Sequence, residues 1–260
     1  MSFERRFGGV SRLYGRENLE LFRQTRVAVV GLGGVGSWAA EAIGRTGFGH
    51  LILMDMDDIC ITNTNRQIHA LAHTCGRPKA EVMAERLAAI NPDAEITPMQ
   101  AFYTAAHPDR LFGHRPDLII DAIDSMNAKA HLIAACHERG LPLVTCGGAG
   151  GRTDAGQVQA ADLARTYGDG LLSVLRRKLR REYGLPLGDK CPEIGIPCVF
   201  SPEKPRFPQC DGSVGERRDE GFQGRMACDS GFGAATHVTG VFGFLAASAA
   251  IALLLARRRL

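Results

Sequence analysis

The residues best suited to binding a nucleotide are four glycines and one aspartate. The glycines follow an apolar run at residues 27–30 in the pattern G-x-G-G-x-G: Gly31, Gly33, Gly34 and Gly36. Such a loop makes a tight turn and lets backbone N–H groups approach a phosphate at a helix N-terminus. Asp55 comes about 20 residues later, where its carboxylate can accept hydrogen bonds from a ribose. Taken alone, this pattern fits NAD and ATP equally well.

Charged side chains further along the chain favour ATP. Arg66 and Lys79 supply two cations, which a nucleoside triphosphate needs because negative charge builds on its phosphates during group transfer. A dehydrogenase needs no such clamp. Asp124 ends another apolar run and offers the oxygen ligands that Mg²⁺ prefers. Asp57 either assists with Mg²⁺ or simply ends its strand, and both interpretations are open.

Apolar periodicity predicts the elements that must position these groups. Buried strands are predicted at residues 27–30, 50–55 and 117–124 and within 141–151, and helices at 16–25, 37–46, 79–91 and 127–139. Strands that alternate with helices predict an α/β fold with a doubly wound, mostly parallel sheet, a Rossmann-like half and a C-terminal extension. The predicted residues all fall near the carboxyl ends of strands, which meet at one edge of such a sheet. We expect a single domain over residues 1–260, with a nucleotide-binding half at 1–150 and a substrate-side half at 151–260.

Two segments of the second half allow more than one interpretation. Residues 184–226 are rich in Pro and Gly and predict a long, partly mobile loop with one short strand near 198–201. Residues 231–256 carry no formal charge and are long enough to span a bilayer. The same segment is rich in Gly, Ala, Ser and Thr, which favours a buried helix packed closely on the sheet.

Composition identifies no binding partner, but it indicates the cellular compartment that we expect. The formal net charge of +3 over 260 residues identifies no partner. No apolar leader opens the chain, so we expect a cytoplasmic protein whose eight cysteines are reduced. No C-x-x-C pair occurs, which leaves a four-cysteine zinc site unsupported.

The motifs together resemble a known superfamily. "GLGGVG", "DMDDICITNTNRQ", "GRPKAE" and "DAIDS" are similar to the ubiquitin-activating-enzyme-like enzymes that adenylate carboxylates, among them the ThiF and molybdopterin-synthase adenylyltransferases. "RFGGVSRLYG", "LVTCGGAGG", "CVFSPE" and "MACDSGFGAAT" resemble the tRNA-modifying dehydratases of that superfamily. This resemblance implies ATP-dependent cyclisation of threonylcarbamoyladenosine beside the tRNA anticodon. It also implies that residues 231–256 form a sheet-packing helix and that membrane association is not expected.

The resemblance also implies roles for individual residues. It implies that Gly34 and Asp55 contact the nucleotide and that Asp124 is linked to Mg²⁺, with Ser125 beside it. The phosphate-facing groups that it implies are Asn63, Arg66, Gln67 and Lys79. Arg12 resembles an arginine that reaches into the partner subunit's site, which implies a homodimer. A link to a cysteine desulfurase system follows from the resemblance and not from the residues.

Three further features each allow a structural interpretation as well as a functional one. Five basic side chains in one short helical stretch suggest contact with tRNA phosphates, but they also fit a solvated helix face: Arg176, Arg177, Lys178, Arg180 and Arg181. Cys228 could accept sulfur or form a thioester, and a structural role is favoured. His69 and His73 could pair on a metal if their segment were helical, and surface or packing roles are favoured.

Other functions remain open from the sequence. The nearest alternative is an adenylyltransferase that activates the C-terminal glycine of a ubiquitin-like sulfur carrier. An NAD-dependent dehydrogenase would leave Arg66, Lys79 and Asp124 without a purpose. A tRNA-binding or sulfur-relay scaffold with a vestigial nucleotide site would not need those positions intact.

Overall fold

A seven-stranded sheet forms the centre of the protein. The computed structural model describes residues 2–188, 191–209, 211–217 and 232–258. The strands are β1 (Arg26–Val30), β2 (His50–Met54), β3 (Glu95–Met99), β4 (Leu118–Asp121), β5 (Leu143–Cys146), β6 (Gln159–Asp162) and β7 (Pro197–Phe200). Their order is β3-β2-β1-β4-β5-β7-β6, and all neighbours are parallel except β6, which runs antiparallel to β7. The predicted doubly wound, mostly parallel α/β fold is confirmed.

Helices cover both faces of this sheet. They are α1 (Phe3–Tyr14), α2 (Arg16–Gln24), α3 (Gly36–Arg45), α4 (Lys79–Ile90), α5 (Asp109–Phe112), α6 (Met126–Glu138), α7 (Gly170–Tyr183) and α8 (Thr236–Arg257). Strand β1 shows how the two cores divide, because alternate side chains of a strand point to opposite faces. Val27 and Val29 pack with α3, α4 and α8, whereas Ala28 and Val30 pack with α6 and α7.

The strand order reverses direction between β1 and β4. β1 pairs with β2 on one side and with β4 on the other, so the loops after these two neighbours leave the sheet on either side of the β1 loop. Ligands of open α/β sheets bind in the crevice at such a switch point, outside the carboxyl ends of the strands. The predicted nucleotide residues lie in the loops that form this crevice.

The predicted elements before residue 150 lie within a few residues of their observed bounds, but the sequence reasoning missed α1, α5, β3 and β6. Strand β3 is half-exposed and contains Pro98, which a strand tolerates at a sheet edge because no ladder partner needs its missing N–H. Its pattern therefore does not look like that of a buried strand.

The predicted loop at 184–226 contains the predicted short strand, which is β7 (Pro197–Phe200). It also contains a two-stranded ribbon of β8 (Phe207–Pro208) and β9 (Val214–Gly215). Residues 189–190, 210 and 218–226 of this prediction lie outside the described residues.

Helix α8 is long and apolar enough to cross a membrane, and in the described part of the chain it is the one helix of which this is true. Half of its most apolar window is buried within the protein. Val238, Phe242, Ala246 and Ala250 lie in the same core as α3. At Gly243 an added Cβ would come within 2.6 Å of the Val35 carbonyl oxygen, so this glycine permits the close approach of the two helices.

Candidate active site

The glycine loop between β1 and α3 requires glycine at two positions, Gly31 and Gly36. Gly31 has a φ of +89°, in the region that L side chains rarely adopt. A Cβ at Gly36 would lie 1.8 Å from the Gly31 carbonyl oxygen, and one at Gly34 would lie 3.2 Å from Cγ of Arg66. At Gly33 a Cβ would meet nothing within 4 Å, so this residue faces open space. The loop leads directly into the N-terminus of α3, where backbone N–H groups and the helix dipole favour an anion.

Asp55 is tied to the glycine loop by hydrogen bonds. Its Oδ2 accepts the Leu32 N–H at 2.6 Å, and its Oδ1 accepts the Asp57 N–H at 2.9 Å. Burial raises the pKa of this carboxyl, and the Lys79 ammonium opposes that rise. The carboxylate is therefore held at the end of β2, beside the loop that is suited to a phosphate.

Lys79 is the first residue of α4 and lies between two carboxylates. Its Nζ is 2.9 Å from Oδ2 of Asp57 and 4.0 Å from Oδ1 of Asp55. The Lys79 side chain is 7% exposed and that of Asp57 is 56% exposed. A phosphate approaching from solvent could therefore replace Asp57 as the partner of the ammonium.

Arg66 follows a single 3₁₀ turn, Ile61–Asn63, and lies against the glycine loop. Its Nη1 donates to the Thr62 carbonyl at 2.8 Å and to Oδ1 of Asn65 at 2.9 Å. The indole N–H of Trp38 donates to the Arg66 carbonyl, which fixes the backbone of this segment to α3. The cation thus lies beside the loop, and within the described residues it forms no ion pair with a carboxylate.

Asn63 and Gln67 are buried next to Arg66 rather than facing open space. The Asn63 Oδ1 accepts the Cys60 N–H at 3.0 Å, so this side chain also shapes the turn. The Gln67 Oε1 is buried and has no hydrogen-bond partner among the described residues. The predicted contacts of these two amides with a phosphate stay predictions.

Asp124 and Ser125 are exposed in the turn between β4 and α6. This turn contacts the glycine loop, because a Cβ at Gly31 would lie 2.7 Å from the Ala122 carbonyl oxygen. Within the described ranges, no three His, Cys, Asp or Glu side chains form a group that could hold a metal by themselves. A cation near Asp124 would therefore need ligands from a substrate or from water, as Mg²⁺ at phosphates usually has.

Arg12 lies far from this edge of its own sheet. Its helix, α1, packs with Phe7 against Gly47 and with Tyr14 against Phe22, which in turn stacks on Phe48. Residues 47–49 lead into the amino end of β2, at the edge opposite the glycine loop. The structure does not bring Arg12 together with the other predicted site residues of the same chain.

The five predicted tRNA contacts lie on α7 and differ in what they already bind. Arg176 donates to the backbone carbonyl and hydroxyl of Thr166, and Lys178 pairs with Glu182 at 2.6 Å. The remaining three are exposed on the helix: Arg177, Arg180 and Arg181. Their apolar neighbours Leu172, Leu175 and Leu179 anchor the helix to the core.

Two buried ionic groups near the site were missed by the sequence reasoning. Asp121, at the end of β4, binds Lys129 of α6 at 2.7 Å, and both side chains are almost fully buried. Arg152 binds Asp169 at 3.1 Å, and Asp169 also accepts the Gly148 N–H and caps α7 at the Leu172 N–H. The only signal for the first was an acid within the apolar strand "LIID"; the second joins residues too far apart in sequence to be paired by pattern.

His69 and three of the described cysteines, Cys136, Cys146 and Cys198, are buried in the protein. His69 is buried, and burial lowers its pKa to about 4, while His73 is exposed. Burial also raises the pKa of the Cys136 and Cys146 thiols to about 12, so both are protonated and unreactive at neutral pH. Cys228 lies outside the described residues.

Comparison with known proteins assigns the chain to a family. The ThiF family matches residues 7–260, and the chain belongs to that family. The tRNA threonylcarbamoyladenosine dehydratase of Escherichia coli (strain K12) is 49% identical over 98% of this chain and 96% of that protein. The enzyme of the same name from Haemophilus influenzae is 42% identical over 99% of this chain and 96% of its own length. A crystal structure of the E. coli enzyme TcdA in complex with ATP has a TM-score of 0.86 and 45% identity, covering 98% of this chain and 96% of that chain.

Proposed function

We propose that this protein dehydrates N6-threonylcarbamoyladenosine in tRNA, beside the anticodon, by ATP-dependent cyclisation. The observation that carries the proposal is the match to dehydratases over almost the whole chain, including the substrate-side half. The ATP complex of the E. coli enzyme supports ATP as the nucleotide. The crevice of this chain supplies the parts that adenylation needs: a glycine loop, a carboxylate beside it and two cations.

In the proposed first step, the substrate carboxylate attacks the α-phosphate of ATP. An O–P bond forms and the bond to the β-phosphate breaks, so pyrophosphate leaves. The glycine loop and the α3 N-terminus hold the phosphates, and Asp55 binds the ribose. Arg66 and Lys79 offset the charge that develops on the leaving group.

We propose Mg²⁺ as the metal, held by Asp124 with phosphate oxygens and water, beside Ser125. When bound, it would supply further charge neutralisation at the phosphates. The exposure of Asp124 at the crevice supports this assignment, because Mg²⁺ keeps several non-protein ligands.

In the second step, the carbamoyl group of the same modification attacks the activated acyl carbon. The ring closes as the acyl–oxygen bond breaks. The attacking carbamoyl group releases one proton to solvent, and AMP leaves with one carboxylate oxygen. No protein nucleophile is required, because intramolecular attack needs only correct positioning. The net change on the nucleoside is the loss of one water.

We further propose that the enzyme is a homodimer in the cytoplasm, with α8 as a core helix rather than a membrane anchor. Arg12 is too far from its own site to act there, which supports a role in the partner's site.

Mixing Arg12→Ala with Asp124→Ala protein tests this, because each variant alone lacks one component of every site. In a two-fold dimer, random mixing should restore activity to about a quarter of the sites. No recovery would refute the proposed role of Arg12 in the partner's site. A cysteine desulfurase partner remains an expectation from the family resemblance.

The test of function is AMP release by the purified protein with threonylcarbamoyl-modified tRNA, unmodified tRNA and no RNA. We expect release only with the modified tRNA, together with a nucleoside mass lower by one water. Arg66→Ala, Lys79→Ala and Asp124→Ala should each abolish turnover. AMP release that depends on a ubiquitin-like carrier protein instead would establish the alternative adenylyltransferase function.

A further inference from the structure

A buried cluster of three polar side chains lies directly beneath the turn that carries Asp124. The Lys129 Nζ is 2.7 Å from Oδ2 of Asp121 and 3.1 Å from Oγ1 of Thr145. The Thr145 hydroxyl donates to the same Asp121 oxygen at 2.7 Å. All three residues are 0–1% exposed. The cluster joins the ends of β4 and β5 to the first turn of α6.

Stability alone does not account for this cluster. Two charges that leave water pay a desolvation cost, and replacing a buried ion pair with apolar residues of similar volume is often neutral or stabilising. Ile119 and Leu143, two residues before Asp121 and Thr145 and on the same face of the sheet, are apolar and fully buried, so this face accepts hydrophobic side chains. The charged cluster therefore calls for another explanation.

The second oxygen of Asp121 provides that explanation. Asp121 Oδ1 accepts the Ile123 N–H at 3.0 Å, within the turn that leads to Asp124. The intervening Ala122 carbonyl lies against Gly31 of the glycine loop. The Asp121 carboxylate thus holds the turn through Oδ1. The Lys129 ammonium and the Thr145 hydroxyl bind Oδ2 and set the orientation of the carboxylate.

We propose that Lys129 is a positioning residue for adenylation. Lys129 fixes the Asp121 carboxylate, which fixes the turn that presents Asp124 beside the glycine loop. Lys129 touches no substrate in this scheme and acts only through Asp121. The inference rests on the proposed function, because it assumes that Asp124 serves the nucleotide.

Two variants that remove charge from the cluster test the proposal, and one control lies at the C-terminal cap of α6. Lys129→Met removes the ammonium with little change in volume. Asp121→Leu/Lys129→Met removes both charges and leaves no unpaired buried ion, so this double variant should fold even if the single variant does not. The control, Arg139→Met, removes an exposed cation at the far end of α6.

The first measurement is amide hydrogen exchange of the ligand-free proteins. The Ile123 amide should exchange about fivefold to tenfold faster in both test variants, because its acceptor is lost or misaligned. The second measurement is modified-tRNA-dependent AMP release. We expect kcat to fall by about tenfold or more with KM for tRNA unchanged, and half-maximal rate to need more Mg²⁺. Thr145→Val should change Ile123 exchange, kcat and the Mg²⁺ requirement in the same direction, but less than Lys129→Met does.

Wild-type kcat and wild-type Ile123 exchange in the double variant would overturn the proposal and leave the cluster as a packing feature. Normal exchange at Ile123 with reduced kcat would also overturn it, because the effect would not pass through the turn. If the wild-type enzyme itself releases no AMP with modified tRNA, the proposed function fails. The exchange data would then still decide whether Lys129 holds the turn.

Discussion

Replacing Lys79 with Met should make the stability of this protein depend on pH in a way that reports on Asp55. Lys79 is buried between Asp55 and Asp57, and Met fills a similar volume without the charge. Asp57 is half-exposed and loses little when its partner goes, because water replaces the ammonium. The Asp55 side chain is only 10% exposed, its pKa is already raised by burial, and Lys79 is the main group that opposes this rise. The substitution should therefore raise the pKa of Asp55 further.

The size of the effect has an upper limit that depends on pH. The loss in free energy of unfolding cannot exceed the free energy of protonating Asp55, because the folded variant can always take up that proton instead of burying the charge. Protonation costs 1.36 kcal/mol for each pH unit above the ordinary pKa of 3.8. At pH 7 this limit is about 4 kcal/mol, and it approaches zero near pH 4. For a chain of this size, such a loss lowers the melting temperature by about 8–16 °C. The sign follows from the raised folded-state pKa: stability is complete at low pH and is lost as pH rises.

The assay is thermal and urea unfolding of wild-type and Lys79→Met protein from about pH 4 to pH 8. The matched control is Lys178→Met, which makes the same replacement at a partly exposed lysine that pairs with the exposed Glu182. It should cost at most about 1 kcal/mol. We expect the deficit of Lys79→Met to grow steadily with pH. A deficit of equal size at both ends of the range would refute the reasoning, because it would arise from packing rather than from Asp55.

Three further outcomes are expected. Gly36→Ala should fold poorly and lose ATP binding in a nucleotide titration, because its Cβ would lie 1.8 Å from the Gly31 carbonyl oxygen; unchanged affinity would contradict the loop geometry. Arg177→Gln should weaken tRNA binding and reduce the slope of log K against log salt by about 1, whereas Arg176→Gln should change the slope less, since its guanidinium is already bound to the protein. Equal slope changes would remove the distinction between the two arginines. His69→Leu should abolish an acid-dependent loss of about 3 kcal/mol between pH 6.5 and pH 4, because burial lowers the pKa of His69 to about 4 and the folded protein resists its protonation. A His69 imidazole that titrates near pH 6.5 by NMR would contradict this.

Local signals were enough to predict five of the seven strands of the sheet and the residues at its carboxyl edge. Apolar runs such as residues 27–30 predict buried parallel strands, and the glycine pattern marks a turn whose backbone needs glycine at Gly31 and Gly36. Since parallel strands all end at the same edge, Asp55 and Asp124 had to lie near that loop once the fold class was known. These inferences rest on chemistry that is carried within a few residues.

The tertiary structure decided which charges pair and which remain available. Lys79 and Arg66 have the same role in the sequence pattern, yet Lys79 is buried between two carboxylates while Arg66 bonds to the carbonyl and amide oxygens of its own turn. Likewise, Arg176 and Arg177 are adjacent in one basic run, but only Arg176 reaches Thr166. The direction of each side chain depends on what its helix packs against, which periodicity does not reveal.

The sequence by itself determined the fold class and the kind of chemistry, because strand periodicity, glycine turns and the donor or acceptor nature of side chains are local properties. Only the tertiary structure could show the support beneath the site: the Asp121–Lys129–Thr145 cluster, the Arg152–Asp169 pair and the placement of Arg12 at the far edge. Each of these depends on how different elements of the fold pack against one another. Buried ions find their partners through packing in three dimensions, and no local pattern specifies that packing.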